Sequence, residues 1–569
     1  MTLTIEDRLG LANERRQVAA LYRAFLARFF ENEISQNSRD LKASFLRIVA
    51  VLSVPGFLLP VASNFKWQGW LVFEGDTQYR ILVIGDKVVY LSLTMAAIML
   101  LTAVVWQALL VDRRDAIVLG SFPVRPRTII AAKVAALLAY VGIVGGGMQI
   151  LASFMYGLIL ATSLSAMALG MIAHFVAGAL AAAFACVMVA AFQALVLAIG
   201  GARVFARLTA SAQMLLTTGA LVILLFGPAF GAAAVDLARG NERAAWAMWL
   251  PPVWFAGIYE LLAGTDAPVI PVLALRAVIA LVAVFGILVA AYPLAYRRIA
   301  SAALQGSPLG SRQSIGSRLL ARFMRTLPVR ADVRGAAHFI LLTTGRVARN
   351  KLIGASALGA ALALSLPYIL RWAAEDWVPH VPARSHIAVP FVFVMFGLVG
   401  LRMAYNVPSE GAAAWIFSTA ERPARIGTSA ARVTGILIGA VLPSLLYFLV
   451  SLWFWGPAIA IFVALTLFAF GALISEIGLR SVEFVPYTRA YNPERGNIQS
   501  RWPLFLVAFV IFVQFLPWAI RVALLNGAYW IAPAFLASAA VALRFAHPPE
   551  PPQLVDADMD NKLLALRLY

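Results

Sequence analysis

The sequence predicts an all-α polytopic membrane protein with about 12 transmembrane helices, arranged as two halves of six spans. Hydrophobic residues make up 62% of the chain and charged residues only 13%, which is more apolar surface than a soluble protein of this length can bury. Runs of about 20 apolar residues, the length that crosses the core of a bilayer, recur along the chain. Arginine-rich segments separate many of these runs.

A sliding window of about 20 residues assigns the individual spans. They fall at 43–63, 88–111, 128–156, 166–200, 209–232, 271–296, 352–370, 386–405, 426–452, 458–479, 502–523 and 527–545.

The distribution of positive charge predicts the orientation of these spans. With both termini in the cytosol, 32 of the 46 lysines and arginines lie in cytosolic segments, as the positive-inside rule requires. The net charge of +19 is therefore explained by the membrane, and we expect no nucleic-acid partner. The predicted organisation is a cytosolic segment, a first six-span half, a cytosolic linker, a second six-span half and a cytosolic tail, at 1–42, 43–296, 297–351, 352–545 and 546–569.

An amphipathic helix is expected ahead of each half. In the stretch 18–30 the apolar side chains fall on one helical face, and the stretch 319–327 repeats the pattern. Such helices lie in the plane of the membrane at its cytosolic surface; the alternative is a helix docked on the protein itself. The residues of the first apolar face are Val18, Leu21, Tyr22, Phe25, Leu26 and Phe29.

A charged hairpin occurs twice, about 297 residues apart, at 111–127 and 409–425. Each copy lies between the second and third span of its half. It begins with acidic residues, continues as a short apolar helix and ends in Arg-Pro, which suggests a tandem duplication. We expect these hairpins to contact a soluble partner. The residues that we assign to this contact are Arg113, Arg114, Asp115, Pro123, Arg125, Pro126, Arg127, Glu421, Arg422, Pro423 and Arg425.

The chain has few residues that could carry chemistry. It contains no Gly-Lys dipeptide, so it lacks the phosphate-binding loop of ATPases. Its histidines are scattered, and neither a catalytic constellation nor a metal site is expected. His174 and Glu476 are the candidates for ion coupling inside spans. For these two, and for the cations near span ends, Arg47, Lys133, Arg276, Arg432 and Arg521, we favour structural or interfacial roles.

The segment 233–270 is an aromatic-rich outer loop. One interpretation is an aromatic belt that lies on the outer leaflet. The other is a pair of short helices that dip back into the membrane and cap a lateral exit. The residues that we assign to this segment are Trp249, Pro251, Pro252, Trp254 and Tyr259.

Two stretches resemble the permeases of type-2 ABC transporters, the long bacterial form with two fused halves. The stretch 115–133 resembles their coupling region, with a Phe-Pro-Val-Arg turn and a lysine one helical stretch later, and 250–260 resembles the segment before their sixth span. The second hairpin departs from the pattern, because Thr419-Ala420 stands where the first has Phe122-Pro123.

The resemblance implies a non-enzymatic permease subunit of the bacterial inner membrane that exports an apolar or amphipathic substrate. ATP and Mg would be bound by an ABC ATPase subunit in trans, with no cofactor in this chain. The permease would be complete as a homodimer or as a pseudodimer of the two halves. The alternatives are a secondary transporter of the major facilitator type and a non-transporting membrane scaffold.

Overall fold

All regular structure in the described part of the chain is helical. The computed structural model describes residues 5–30, 41–110, 113–122, 124–159, 161, 163–304, 315–374, 381–407, 416–417, 423–479, 482, 484–488 and 507–546. Within these residues, ten helical segments are long and apolar enough to cross a membrane. This confirms the all-α multi-pass class.

Two of the twelve predicted spans are not among the ten. The segment 43–63 forms the first part of a longer helix, and the segment 527–545 contains a shorter apolar helix, Ile531–Phe545. The ten are Gln78–Ala103, Pro126–Ile159, Leu164–Phe205, Arg207–Leu225, Ile270–Ser301, Arg349–Leu370, Arg384–Tyr405, Arg425–Trp455, Pro457–Leu479 and Val507–Leu525.

The chain divides into two compact units, Met1–Gly310 and Ser311–Tyr569. Within the first unit the described helices are α1 (Ile5–Phe30), α2 (Leu41–Val104), α3 (Trp106–Leu109), α4 (Arg113–Gly120), α5 (Pro126–Ile159), α6 (Leu164–Leu225), α7 (Gly227–Ala238), a 3-10 helix (Glu242–Trp249), α8 (Pro251–Ala263) and α9 (Ile270–Leu304).

Helix α2 contains a reversal of direction. Asp86 accepts hydrogen bonds from the Ser63 hydroxyl at 2.7 Å and from the Trp67 indole at 2.6 Å. Residues 63 and 86 would be about 35 Å apart along a straight helix. The chain must therefore double back between Trp67 and Asp86, so that α2 supplies two antiparallel segments. This is the arrangement expected of the first two spans.

Helix α6 reverses in the same way at Gly201. Its φ of 70° and ψ of 177° are not helical, and glycine adopts such a backbone without the penalty of a Cβ atom. On either side of the reversal, the amides of Gln193 and Gln213 donate at 3.0 Å to the carbonyls of Trp106 and Ala103, which are three residues apart. The fourth and fifth predicted spans are therefore the two arms of a helical hairpin.

Small residues let these helices approach closely. A Cβ atom on Gly231 of α7 would stand 2.4 Å from the carbonyl oxygen of Gly85 in α2. A Cβ atom on Gly145 of α5 would stand 2.7 Å from the Cβ atom of Ala182 in α6. Contacts of this kind replace the hydrophobic driving force that helices lack inside lipid.

Within the second unit the described helices are α10 (Ile315–Thr326), α11 (Ala331–Arg346), α12 (Ala348–Ala374), α13 (Arg384–Tyr405), α14 (Pro423–Ile436), a π-helix (Leu437–Val441), α15 (Leu442–Trp455), α16 (Pro457–Leu479), a second π-helix (Ile511–Phe515), α17 (Leu516–Leu525) and α18 (Ile531–Ala546). Helix α11 is a finding of the structure, because the sequence assigned its residues to the linker.

Packing in the two units follows a common order. In the first unit α1 packs on α5, the helix that follows the first hairpin, and in the second unit α11 packs on α14, the helix that follows the second. Helix α11 thus occupies the position of α1, although the sequence matched α1 with the residues of α10. The units also differ before their last helix. In the second unit a turn at Gly527, with a φ of 67°, links α17 to α18. In the first unit the 3-10 helix and α8 precede α9.

The close approach at Gly231 gives a test of the fold. We expect Gly231→Ala to lower the thermal stability of the purified protein, since the new methyl group meets backbone rather than a side chain that can move. Overpacking of this kind costs about 1–3 kcal/mol.

The matched control is Gly286→Ala in α9, where a Cβ atom would have no neighbour within 4 Å among the described residues. It should leave the melting temperature unchanged or raise it, because alanine favours the helix by about 1 kcal/mol. Equal melting temperatures for the two variants would contradict the packing of α7 on α2.

Candidate functional site

The first hairpin is a rigid turn between α4 and α5. The backbone N–H groups of Ser121 and Phe122 donate to the carbonyls of Val118 and Leu119, so the end of α4 is hydrogen-bonded into the turn. On the other side Pro126 opens α5, as its fixed φ favours, and the Arg125 carbonyl accepts from the N–H of Thr128 at 3.0 Å. Both flanks of the hairpin are therefore fixed by the backbone.

Helix α1 fastens this hairpin from the side. Arg28 forms an ion pair with Asp115 of α4, and the Thr128 hydroxyl of α5 donates to Glu14 at 3.1 Å. Phe25 and Phe29 of the predicted apolar face are both buried in the protein core, and the other residues of that face pack around them. The apolar face of α1 is thus covered by the protein.

Lys133 lies where α1 meets α5. It is buried, and its ammonium group stands 4.5 Å from the centroid of the Phe25 ring and 5.2 Å from that of Phe29. Cation–π contacts of this kind are strongest when they are removed from water. We expected this lysine to reach toward the span end, but the structure holds it under two aromatic rings.

The tip of the hairpin presents a mixed apolar and basic surface. Ile117 and Phe122 are 55% and 57% exposed, and Arg125 and Arg127 are exposed beside them. We call Ile117, Val118, Phe122, Arg125 and Arg127 the hairpin surface. An apolar centre with a charged margin is the usual form of a protein-binding patch.

Other residues assigned to the first hairpin lie around this surface. Arg113 and Arg114 open α4, Asp115 pairs with Arg28 at its base and Pro126 is exposed. Pro123 lies outside the described residues.

The second hairpin is described only in part. Phe417 contacts Phe339 of α11, with ring centroids 5.3 Å apart. This contact joins α11 to the second hairpin, as the Arg28–Asp115 ion pair joins α1 to the first. Pro423 opens α14 and Arg425 is exposed, whereas Glu421 and Arg422 lie outside the described residues.

A turn from the segment after α16 packs behind the second hairpin. The hydroxyls of Thr344 and Tyr487 are 2.7 Å apart, and Thr428 donates to the Val482 carbonyl at 2.6 Å. Tyr487 is buried with a φ of 74°, a backbone that costs a non-glycine residue free energy. The described residues 484–488 thus form an ordered turn.

A second group of polar residues lies at the opposite end of α5. Here Lys87 of α2 forms a buried ion pair with Glu260 of α8 at 2.6 Å, and Thr265 donates to the other carboxylate oxygen at 2.6 Å. The Lys87 ammonium group also stands 3.9 Å from the centroid of the Tyr259 ring. Together with His174 of α6, we call Lys87, Tyr259, Glu260 and Thr265 the polar cluster.

His174 lies near the start of the helical segment Leu164–Phe205, and aromatic rings enclose it. It stacks on Tyr156 with ring centroids 4.4 Å apart and meets Tyr90 and Tyr259 at 5.1 Å and 5.7 Å. Its Nε2 atom has no hydrogen-bond partner among the described residues.

A small pocket opens beside the polar cluster. Its walls combine the Lys87–Glu260 pair with tyrosine rings, and the residues that line it include Tyr79, Arg80, Lys87, Tyr156, Tyr259 and Glu260.

The outer segment forms two short helices, the 3-10 helix and α8. Helix α8 packs along α6, since Tyr259 contacts His174 while Phe255 contacts Phe184, ten residues farther along that helix. It therefore lies among the spans rather than across their ends.

The structure places the five residues assigned to this segment in different surroundings. Trp249 is 75% exposed, Pro251 is half-buried, and Pro252 and Tyr259 are buried. The Trp254 indole donates to the Met248 carbonyl at 2.7 Å.

Sequence reasoning missed the Lys87–Glu260 pair. The two residues are 173 positions apart, and Lys87 had been assigned to an outer segment, whereas the span Gln78–Ala103 contains it. The sequence did contain a signal for this pair, because Lys87 stands directly before an apolar run and Glu260 is a carboxylate within the segment 233–270. A second pair, Arg432–Glu476 at 3.3 Å, supplies the partner of Glu476.

No group of histidines, cysteines and carboxylates suited to a metal ion occurs among the described residues. Comparisons with protein families, with curated proteins and with solved structures found no match. The function must therefore be inferred from the hairpin surface and the polar cluster.

The Lys87–Glu260 pair can be tested by a double-mutant cycle. We expect Lys87→Met to lower stability by about 3 kcal/mol or more, since it leaves a buried carboxylate without its cation. The double variant Lys87→Met/Glu260→Gln should recover most of this loss, measured by thermal unfolding in nanodiscs.

The control is Lys66→Met, because Lys66 is exposed and pairs with Asp86 at 3.4 Å. It should cost less than about 1 kcal/mol. With Glu260→Gln as the other single variant, a double variant whose loss equals the sum of the two single losses would show that the two charges are not coupled.

Proposed function

We propose that this chain is the transmembrane permease subunit of an ATP-driven ABC transporter. A separate ATPase subunit, which binds ATP and Mg, docks on the hairpin surface and drives the export of an apolar or amphipathic substrate. The observation that supports this most is the exposed hairpin surface itself. Phe122, Arg125 and Arg127 lie on a turn that is bonded to α1 and α5, so the turn cannot move without those helices.

Rigidity is what a coupling element requires. A push on a flexible loop would be absorbed by the loop, whereas a push on a braced turn displaces the helices attached to it. Helix α5 has 34 residues and is about 50 Å long. It begins at the hairpin and ends beside the polar cluster, so it can carry displacement from one end of the first unit to the other.

The source of energy is a second argument. The chain has no Gly-Lys dipeptide, and a phosphate-binding loop needs its lysine at that position. An ATP-driven mechanism therefore calls for a second polypeptide, and the apolar and basic hairpin surface offers it a place to bind.

The substrate class follows from the surroundings of α8. This helix lies among α2, α6 and α9, and α5 and α6 approach each other closely where Gly145 faces Ala182. Apolar walls of this kind favour an apolar or amphipathic substrate, and a displacement of α8 would open a lateral exit. We infer a bacterial inner-membrane location with both termini cytoplasmic and with the hairpins on the cytoplasmic side.

The two hairpins are proposed to bind ATPase subunits unequally. The first combines exposed apolar and basic residues. The second is braced by the Phe339–Phe417 contact, and of its assigned arginines Arg425 is exposed among the described residues.

A secondary transporter is the second candidate, and the polar cluster is the observation that favours it. A buried Lys87–Glu260 pair beside a cavity could exchange its internal contact for a substrate ion. The two candidates differ in their need for an ATPase, so transport by this chain alone in sealed vesicles, driven by an ion gradient, would favour the secondary transporter.

The docking role of the hairpin surface predicts the effect of charge reversal. We expect Arg125→Glu/Arg127→Glu to weaken binding of the ATPase at least tenfold, because two favourable contacts become repulsive. Membrane insertion and the melting temperature should not change, since both side chains are exposed. The measurement is co-purification of the ATPase subunit with the affinity-tagged chain.

The matched control is Arg239→Glu/Arg243→Glu, which reverses two exposed arginines beside the 3-10 helix, away from the hairpin. This variant should retain the ATPase. Equal retention by both double variants would overturn the proposed docking site.

A further inference from the structure

One side of helix α10 packs against the rest of the second unit, and its other sides are exposed. Met324 is buried in the same apolar cluster as residues of α11, on which α10 packs, and Leu320 and Leu327 are partly buried against that cluster. This side attaches α10 to the second unit.

The uncovered sides carry apolar and basic residues together. Leu319 and Phe323, one helical turn apart, are 58% and 45% exposed. Arg318, Arg322 and Arg325 form an exposed row at spacings of four and three residues, so they share a face of the helix. No ion pair links these three arginines to a described carboxylate.

The surroundings of α10 are also positive. Between residues 318 and 334 the sequence has five arginines and a single acidic residue, Asp332, and Asp332 pairs with Arg330 at 2.9 Å. Arg334 donates to the Arg325 carbonyl, which brings a further cation to the end of the row.

Helix α1 shows what a covered helix of this kind looks like. Phe25 and Phe29 are 4% and 3% exposed, and Arg28 pairs with Asp115. In α10 neither the apolar pair nor the arginine row has such a partner among the described residues, so these groups remain available for an external ligand.

We propose that α10 binds the anionic phospholipid headgroups of the membrane leaflet on the hairpin side. Leu319 and Phe323 enter the boundary between headgroups and acyl chains, and the guanidinium groups of the arginine row bind headgroup phosphates. This inference does not depend on the proposed function, because it concerns a different surface and holds for any multi-pass protein with this helix.

Two physical arguments favour a lipid surface as the ligand. Stable attachment to a membrane needs two signals, an apolar insertion and a basic patch, and α10 carries both. A specific protein interface, by contrast, uses about 20–30 residues on each side, and α10 leaves only two large apolar side chains exposed. The chain also continues through α11 directly into the span Arg349–Leu370, so α10 is one helix away from the bilayer.

The experiment places an environment-sensitive fluorophore on Thr326→Cys, an exposed position one helical turn from Phe323. The only native cysteine, Cys186, is buried and is replaced by Cys186→Ala. The full chain is reconstituted in nanodiscs of phosphatidylcholine alone or of an equimolar mixture with phosphatidylglycerol. The lipids carry a nitroxide quencher at the headgroup boundary.

We expect strong quenching in the anionic nanodiscs and weak quenching in phosphatidylcholine alone, with salt reducing the difference. Each arginine near an anionic surface contributes about 1 kcal/mol, so the ratio of membrane-bound to water-exposed probe should fall at least about fivefold for each arginine reversed in Arg318→Glu, Arg322→Glu and Arg325→Glu, since glutamate also adds repulsion.

Two further variants separate binding from folding. Replacing the same three arginines by lysine keeps the charge and should keep the dependence on phosphatidylglycerol. Leu319→Ser/Phe323→Ser keeps the arginines and should reduce quenching at every salt concentration.

Two outcomes would overturn the proposal. The first is a probe that stays water-exposed in both lipid compositions. The second is a probe that is shielded equally in both compositions and in the charge-reversed variant, which would mean that another protein surface covers α10.

Discussion

The position of the hairpin surface depends on the way in which α1 is fastened to both flanks of the first hairpin. Arg28 holds α4 through Asp115, Glu14 holds the start of α5 through Thr128, and Lys133 lies buried under the rings of Phe25 and Phe29. A buried ammonium group is costly unless favourable contacts surround it. Lys133 therefore makes the docking of α1 specific, because a shifted α1 would expose the cation to apolar side chains without the ring faces that stabilise it. With α1 fixed, the turn between α4 and α5 has no freedom to move alone.

The second unit reaches a similar arrangement with different chemistry. Helix α11 takes the place of α1 beside α14, but its contact with the hairpin is the tilted ring pair Phe339–Phe417, and the hydroxyl pair Thr344–Tyr487 lies behind it. Ion pairs and aromatic contacts differ in their response to salt, since screening weakens exposed charges and leaves ring packing unaffected. The two hairpins thus occupy corresponding positions in their units but are held there by different interactions.

Much of the architecture was predictable from composition and periodicity. Apolar runs located the spans because a helix must satisfy its backbone hydrogen bonds within lipid, and the apolar face of α1 was identified residue by residue. The remainder depends on contacts between residues distant in sequence. Lys87 and Glu260 meet across 173 positions, and the burial of Lys133 required knowledge of where α1 docks. Helix α11 was missed because its arginines and threonines resemble those of a linker. Of the hairpin surface, Arg125 and Arg127 were assigned from the sequence, whereas the exposed apolar residues Ile117, Val118 and Phe122 were not.

The hairpin and the polar cluster are mechanically connected, and this constrains how the first unit can move. Helix α5 runs from Pro126 to Tyr156, which stacks on His174, and the second arm of α2 runs back from the hairpin side to Lys87. Both helices are too closely packed to bend independently, since Gln149 of α5 donates to Thr94 of α2 and the Tyr90 hydroxyl of α2 donates to the Met148 carbonyl. A tilt imposed at the hairpin must therefore move Tyr156 and Lys87 together. Glu260 belongs to α8, which packs on α6 and also on α9, where Gly257 closely approaches Leu273. The Lys87–Glu260 pair is thus one of the contacts that such a tilt would alter.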